Sequence, residues 1–265
     1  MAKAETIIKT QKRVNKETGK KEVEKIEYRI DASFIPEKVS DICMEFIINY
    51  CRNIDCQFEV DENNNILVTK GQAATYPCVV AHTDEVHEER PEGFRVVVDP
   101  DDNDIISGLD ACGECCGIGA DDKNGIWVAL KMLEELPVLK CAFFTGEEIG
   151  CEGSRNVDIS FFDDCRYVVQ CDRKNGNDFI INVSGLELNT QRFREDCELD
   201  RFGYRPKYGY STDVAALKER GLKISVVNLS CGYYNPHEPA EYTRFSELQN
   251  ALNFARHICS LTETY

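Results

Sequence analysis

The segment Pro77-Cys78-Val79-Val80-Ala81 is apolar at every position, and residues 138–145 form a second, mostly apolar run. A strand with one wet face alternates apolar and polar side chains, so a uniform run belongs to a strand buried on both faces. Such a strand needs helices above and below its sheet, and the sequence supplies them. Ile126, Leu130, Leu133 and Leu136 recur at helical spacing and stop at Pro137, and Phe245, Leu248, Leu252, Ala255 and Ile258 make a last amphipathic helix. Residues 167–171 and 223–229 read as further strands, and residues 213–220 as a short helix ended by Gly221. This alternation predicts the α/β class, with three layers and a mostly parallel central sheet carrying helices on both faces.

Toward the N-terminus, Pro36 opens a helix with the apolar stripe Val39, Ile42, Cys43, Phe46 and Tyr50. Two short strands follow at residues 56–60 and 66–70, joined by the polar turn Asp61-Glu62-Asn63-Asn64-Asn65. Residues 6–30 read as a β-hairpin around Glu17-Thr18-Gly19-Lys20. The expected division is therefore a hairpin arm at 1–30 and a single domain at 31–265, which suits a chain of 265 residues.

The arm is basic, with nine Lys/Arg against five Glu, while the whole chain carries −16. A surface that negative repels phosphate backbones, so no nucleic-acid partner is expected, and the arm reads as a solvated hairpin. No apolar run approaches the roughly 18 residues that cross a bilayer, and the start has no signal-like apolar stretch. The expectation is a cytoplasmic protein without a membrane partner. Fourteen cysteines in that setting are expected to be free thiols. Cys112, Cys115 and Cys116 lack the second pair that a structural zinc site needs, so they are expected to hold none.

Five segments place His or acidic residues after a strand or in a turn. They are Ala81-His82-Thr83-Asp84, Gly119-Ala120-Asp121-Asp122-Lys123-Asn124-Gly125, Thr145-Gly146-Glu147-Glu148-Ile149-Gly150, Gln170-Cys171-Asp172-Arg173, and Asn235-Pro236-His237-Glu238. One acidic loop is ordinary solvated surface. Several at the strand ends of one sheet converge in space. Imidazole and carboxylate oxygen are the ligands that zinc takes in hydrolytic sites.

Together these segments resemble the co-catalytic di-zinc exopeptidase superfamily of aminopeptidases, tripeptidase-like and carboxypeptidase-like enzymes and related amide deacylases. His82-Thr83-Asp84 matches its His-x-Asp, residues 121–125 its Asp-x-Lys-x-Gly, and Glu147-Glu148 its glutamate pair. Asp172 matches the later acidic ligand and His237 the closing histidine, all in the family's order. The resemblance implies two divalent metal ions, zinc first, with cobalt or manganese as substitutes. His82 and Asp172 would bind one, Glu148 and His237 the other, and Asp121 would bridge them. Asp84 would fix the His82 imidazole, and Glu147 would be the general base. The resemblance also implies a cis peptide after Asp121.

Between His82 and Asp121 lie 38 residues, and between Asp172 and His237 lie 64, too few for an inserted domain beside the required elements. The resemblance therefore points to the lidless form, a bare catalytic domain. Its activity would be hydrolysis of the terminal peptide bond of short peptides, most simply as an aminopeptidase. The same metals acting on an N-acylated amino acid as an amide deacylase remain an alternative, as does a binding protein that keeps the fold without catalysis. A homo-oligomer is compatible with the sequence. Tyr233 and Tyr234 read as loop packing rather than oxyanion donors, His87 as a surface residue, His257 as structural, and Thr212 as a helix N-cap.

Overall fold

Every side chain of the strand Tyr76–His82 is buried, as its apolar run requires. The computed structural model describes residues 6–14, 21–29, 39–87 and 89–265, so Pro36, the 17–20 turn and Glu88 lie outside the described residues. In the N-terminal unit, Met1–Glu37, strands β1 (Thr6–Val14) and β2 (Lys21–Arg29) pair antiparallel as the expected hairpin.

The second unit, Lys38–Tyr265, begins with α1 (Val39–Asn53), β3 (Gln57–Val60), β4 (Ile66–Lys70) and β5 (Tyr76–His82). There follow β6 (Arg95–Val98), β7 (Ile105–Leu109), β8 (Cys115–Cys116), α2 (Ala120–Glu135), β9 (Leu139–Phe144), α3 (Glu152–Asn156) and β10 (Cys165–Arg173). Beyond it lie β11 (Asp178–Val183), β12 (Leu186–Glu187), α4 (Gln191–Asp196), β13 (Arg205–Gly209) and α5 (Asp213–Glu219). The chain ends with β14 (Val226–Ser230), β15 (Tyr233–Tyr234), β16 (Tyr242–Arg244) and α6 (Phe245–Cys259).

The large sheet runs β12-β11-β14-β10-β5-β9-β4-β3, with β13 beside β11. Its middle strands β14, β10, β5 and β9 are parallel, and antiparallel pairs flank them. Successive residues of β5 serve opposite faces: Val79 and Ala81 pack in one core cluster, Cys78 and Val80 in the other. Ile47 of α1, Met132 of α2 and Phe254 of α6 join the first cluster, while Val214 and Leu217 of α5 join the second. Helices therefore cover both faces, giving the three expected layers.

A smaller sheet, β15-β16-β7-β6 with β8 on β7, is antiparallel throughout. No sequence periodicity marks it. Most side chains of β6 stay exposed, so selection by burial leaves little pattern. Helix α1 corrects the expected stripe by one residue. Ile42 and Phe46 are 52% and 57% exposed, whereas Ile47 and Cys51 are fully buried. The line Cys43–Ile47–Cys51 turns toward the sheet, and the neighbouring line faces outward. No helix among the described residues is long and apolar enough to cross a membrane.

Tyr167 ties β10 to the end of α6. Its hydroxyl lies 2.7 Å from the Ile258 carbonyl and 2.9 Å from that of Leu261, and the ring is fully buried. Tyr167→Phe takes this donor from the Leu261 carbonyl and leaves the Ile258 carbonyl with the Leu261 N–H, an expected loss of about 1–3 kcal/mol. Urea denaturation should show a lower midpoint. An unchanged midpoint would mean that packing alone holds the helix end.

Candidate metal centre

Parallel strands all end at one edge of the sheet, and the polar segments meet there. His82 closes β5, Asp172 is the penultimate residue of β10, and Glu147 and Glu148 lie in the turn that follows β9. Asp121 comes from the start of α2, and His237 from the turn after β15. All five presumed ligands and Glu147 therefore lie together.

Asp121 sits at the centre. Its Oδ1 is 3.1 Å from His82 Nε2, and its Oδ2 is 3.3 Å from His237 Nε2. Asp172 Oδ1 stands 3.6 Å from His82 Nε2, and Glu148 Oε1 stands 2.9 Å from His237 Nε2. Two groups of donor atoms result, His82–Asp121–Asp172 and Asp121–Glu148–His237, each within 4.8 Å and sharing one carboxylate. His82, Glu147 and Glu148 form a third group of the same span, so Glu147 also reaches the centre. Carboxylates crowded out of water need a counter-charge, and two imidazoles are too few. Mixed imidazole and carboxylate donors suit zinc and similar divalent ions.

Several residues fix these donors. His82 Nδ1 is 2.9 Å from the main-chain carbonyl of Asp84 and 3.5 Å from its carboxylate. An Nδ1–H donated to that carbonyl aims Nε2 at Asp121, where it bonds the carboxylate while protonated and is free to coordinate an ion once it loses that proton. The Asp84 carboxylate accepts the main-chain N–H groups of both Glu147 and Glu148, at 3.1 Å each. One acid thus holds the glutamate turn against the histidine strand.

The motif at residues 121–125 has a comparable logic. Buried Asp122 accepts the N–H groups of His82 and Gly125. A Cβ on Gly125 would come within 2.4 Å of that carboxylate, so only glycine fits. Lys123 pairs with Glu85, which also holds Arg90. The Asn124 side chain bonds the Cys231 carbonyl and the Thr243 hydroxyl, anchoring α2 to the strand ends. The Asp121–Asp122 peptide is cis, in agreement with the resemblance.

Sequence motifs do not mark three other contributors. Glu241, almost fully buried, accepts the N–H groups of Gly119 and Asp121. Gln170 donates to both Asp172 and Asp213, each at 3.1 Å, and Asn228 accepts the Asp172 N–H. The available signal for Gln170 is position, since residues two apart on a strand share a face. Thr212 occupies the N-cap position of α5 but makes no capping bond. Its hydroxyl instead donates to Gln170 and accepts from Asn228, because the buried network offers better partners than the helix end.

Of the tyrosines, Tyr233 lines the cavity with its hydroxyl 3.4 Å from Asp172, whereas Tyr234 bonds Glu247 and stacks on Tyr242. His87 is half-buried rather than a surface residue, with Nε2 lying 3.8 Å from Glu241. His257 packs on Phe202 in the last helix. All fourteen cysteines are free, and Cys112 and Cys115 are exposed.

Charge and burial pull the titrating groups in opposite directions. Burial disfavours the His82 imidazolium, yet Asp121, Asp172 and Asp84 outweigh it and hold its pKa well above 6.5. The Asp121 hydrogen bond and the charge of Glu148 raise His237 to about 9 against its desolvation. Desolvation pushes Glu147 to about 7, and with the charge of Asp121 it raises Asp172.

No protein-family profile matches the sequence, and no curated protein matches it. Solved structures do. The tripeptidase of Staphylococcus aureus subsp. aureus Mu50 superposes with a TM-score of 0.67 at 11% identity, covering 81% of this chain and 91% of that one. Aminopeptidase PepT of Bacillus cereus gives 0.64 at 11%, over 83% and 92% of the two chains. The TET1 peptidase of Pyrococcus horikoshii, which assembles into a tetrahedron or a large octahedral shell, gives 0.60 at 14%, over 86% and 97%. At these identities the likeness establishes the fold alone, one shared with these tripeptidase and aminopeptidase structures.

A metal ion takes neutral imidazole, and both histidines hold protons tightly in the metal-free site. Zinc added at pH 7 is therefore expected to release protons, and its apparent affinity to rise as pH approaches about 9. Calorimetric titration in two buffers of different ionisation heat measures this. Identical heats in both would mean that the histidines are already neutral before the ion binds.

Proposed function

We propose that this protein is a two-metal exopeptidase that removes terminal residues from short peptides, most simply as an aminopeptidase. The supporting observation is the pair of three-residue donor groups that share Asp121, one acid whose two oxygens face two different histidines. In this reading His82, Asp121 and Asp172 hold one ion, and Asp121, Glu148 and His237 hold the other. The fold shared with a tripeptidase and aminopeptidases adds support at the level of the scaffold.

Two divalent ions, when bound, would polarise the scissile carbonyl and make the attacking water more acidic. The chain's own groups do the rest. Glu147 is the base that accepts the water proton and passes it to the leaving amine. Its carboxylate lies in reach of His82 and Glu148 but outside both groups that share Asp121. Asp84 keeps the two glutamates in place through their main-chain N–H groups, so one can coordinate while the other moves a proton. We assign this work to residues 31–265 as one catalytic domain without an inserted lid, with the basic hairpin outside the chemistry. A homo-oligomer completes the proposal, by likeness to the TET1 assemblies.

A chelator should abolish peptide hydrolysis, and zinc, cobalt or manganese should restore it. Full activity with one ion bound per chain would remove the two-metal part of the proposal.

The adjacent glutamates give a sharper test. Glu147→Gln removes the proton acceptor while keeping size, so turnover should fall by roughly 10²–10⁴ with both ions retained. Glu148→Gln should weaken binding of one ion, and high metal concentration should rescue part of its activity. The reverse pattern would exchange the two roles. Unimpaired hydrolysis in both variants would remove both glutamates from the proposed mechanism.

A further inference from the structure

The metal centre opens into a cavity of about 240 Å³, and one part of its wall is cationic. Arg173 and Lys174 line it immediately after the presumed ligand Asp172. In a chain of net charge −16, two adjacent cations facing the acidic centre are unexpected. Four carboxylates line the same cavity, Asp121, Glu147, Glu148 and Asp172. Two divalent ions would balance those four charges, and Asp178 pairs with Arg173, leaving Lys174 as the uncompensated cation beside it on the rim.

Both residues project from fixed backbone. The Arg173 carbonyl accepts the Cys231 N–H at 3.0 Å, and the Lys174 carbonyl accepts the Ser230 hydroxyl at 2.7 Å. Arg173 Nε lies 3.3 Å from Asp178, which steadies the guanidinium and leaves its outer N–H groups available. Lys174 is exposed, and no carboxylate among the described residues pairs with it. Lys174 is thus presented to the cavity without a carboxylate partner, and Arg173 lines it with its Nε held by Asp178.

We infer that Arg173 and Lys174 form a carboxylate clamp, a substrate subsite for a free carboxylate on the leaving-amine side of the scissile bond. In any peptide the C-terminal carboxylate lies on that side, and so does the carboxylate of an N-acyl amino acid. A clamp sharing one small cavity with the metal centre admits only substrates whose carboxylate lies a residue or two beyond the cleaved bond. The substrate class becomes dipeptides, tripeptides and N-acyl amino acids, with long chains and C-terminal amides disfavoured. This inference rests on the proposed exopeptidase reading and narrows it.

The test compares trialanine, trialanine amide and N-acetylalanine on the metal-loaded protein and on the R173M, K174M and K174E variants. Trialanine should exceed its amide by about 10–100-fold in kcat/KM, the usual effect of charge-assisted hydrogen bonds. Each variant should erase most of that preference through KM while leaving the amide rate nearly unchanged. K174E should disfavour the acid further. Where the acid preference and its loss in the variants hold, cleavage of N-acetylalanine assigns the clamp to the deacylase substrate, and cleavage of trialanine alone assigns it to short peptides. Equal rates on acid and amide, or variants that lose both alike, overturn it. Calorimetric binding of acid and amide reads the subsite without turnover. A protein that binds the acid selectively but hydrolyses none of the three overturns the exopeptidase reading and leaves the clamp standing.

Discussion

A single carboxylate organises the site. The two Asp121 oxygens face His82 and His237, which come from segments more than 150 positions apart in the chain. Holding an acid there, among Asp122, Asp172, Glu147 and Glu148, opposes desolvation and like-charge repulsion together. The fold meets that opposition with directed donors. Main-chain N–H groups point at Asp84, Asp122 and Glu241, so the supporting acids are hydrogen-bonded where they are buried. Without such bonds their buried oxygens would lack partners, and the donor geometry would relax.

The central sheet makes this arrangement possible. Strands β5, β9, β10 and β14 run in one direction, so their ends share an edge and their side chains pack on both faces. The smaller antiparallel sheet brings β15 and β16, and with them the loop holding His237 and Glu241, over that edge. Two sheets are therefore required: one supplies the strand ends, the other closes the fifth donor onto them. Asn124 joins the halves by bonding Thr243 of β16 and the carbonyl just beyond β14.

The network behind Asp172 shows how rigidity is distributed. Gln170, Asp213, Thr212, Asn228 and Ser154 satisfy one another out of water. Each member uses donors or acceptors that a purely apolar packing would leave empty, so the network specifies one arrangement where hydrophobic contact alone permits several. It is also why Thr212, by local rules a helix cap, is drawn away from that task.

The sequence by itself determined the α/β class, the buried strands, the main helices and the five polar segments, because each leaves a local trace. Uniform apolar runs, helical spacing and short motifs are properties of neighbouring residues. The short strands β6, β7, β15 and β16 left no such trace, since their stability comes from partners distant in sequence and their side chains are partly wet. Burial on α1 also depended on the sheet beneath it, which chose Cys43–Ile47–Cys51 over the neighbouring line. Tertiary structure alone decided that Glu241 and Gln170 support the site and that Tyr233, not Tyr234, faces it. It alone set Arg173 and Lys174 on the cavity wall. Hydrogen-bond partners and side-chain direction are fixed by packing across the whole chain, and no window of sequence contains them.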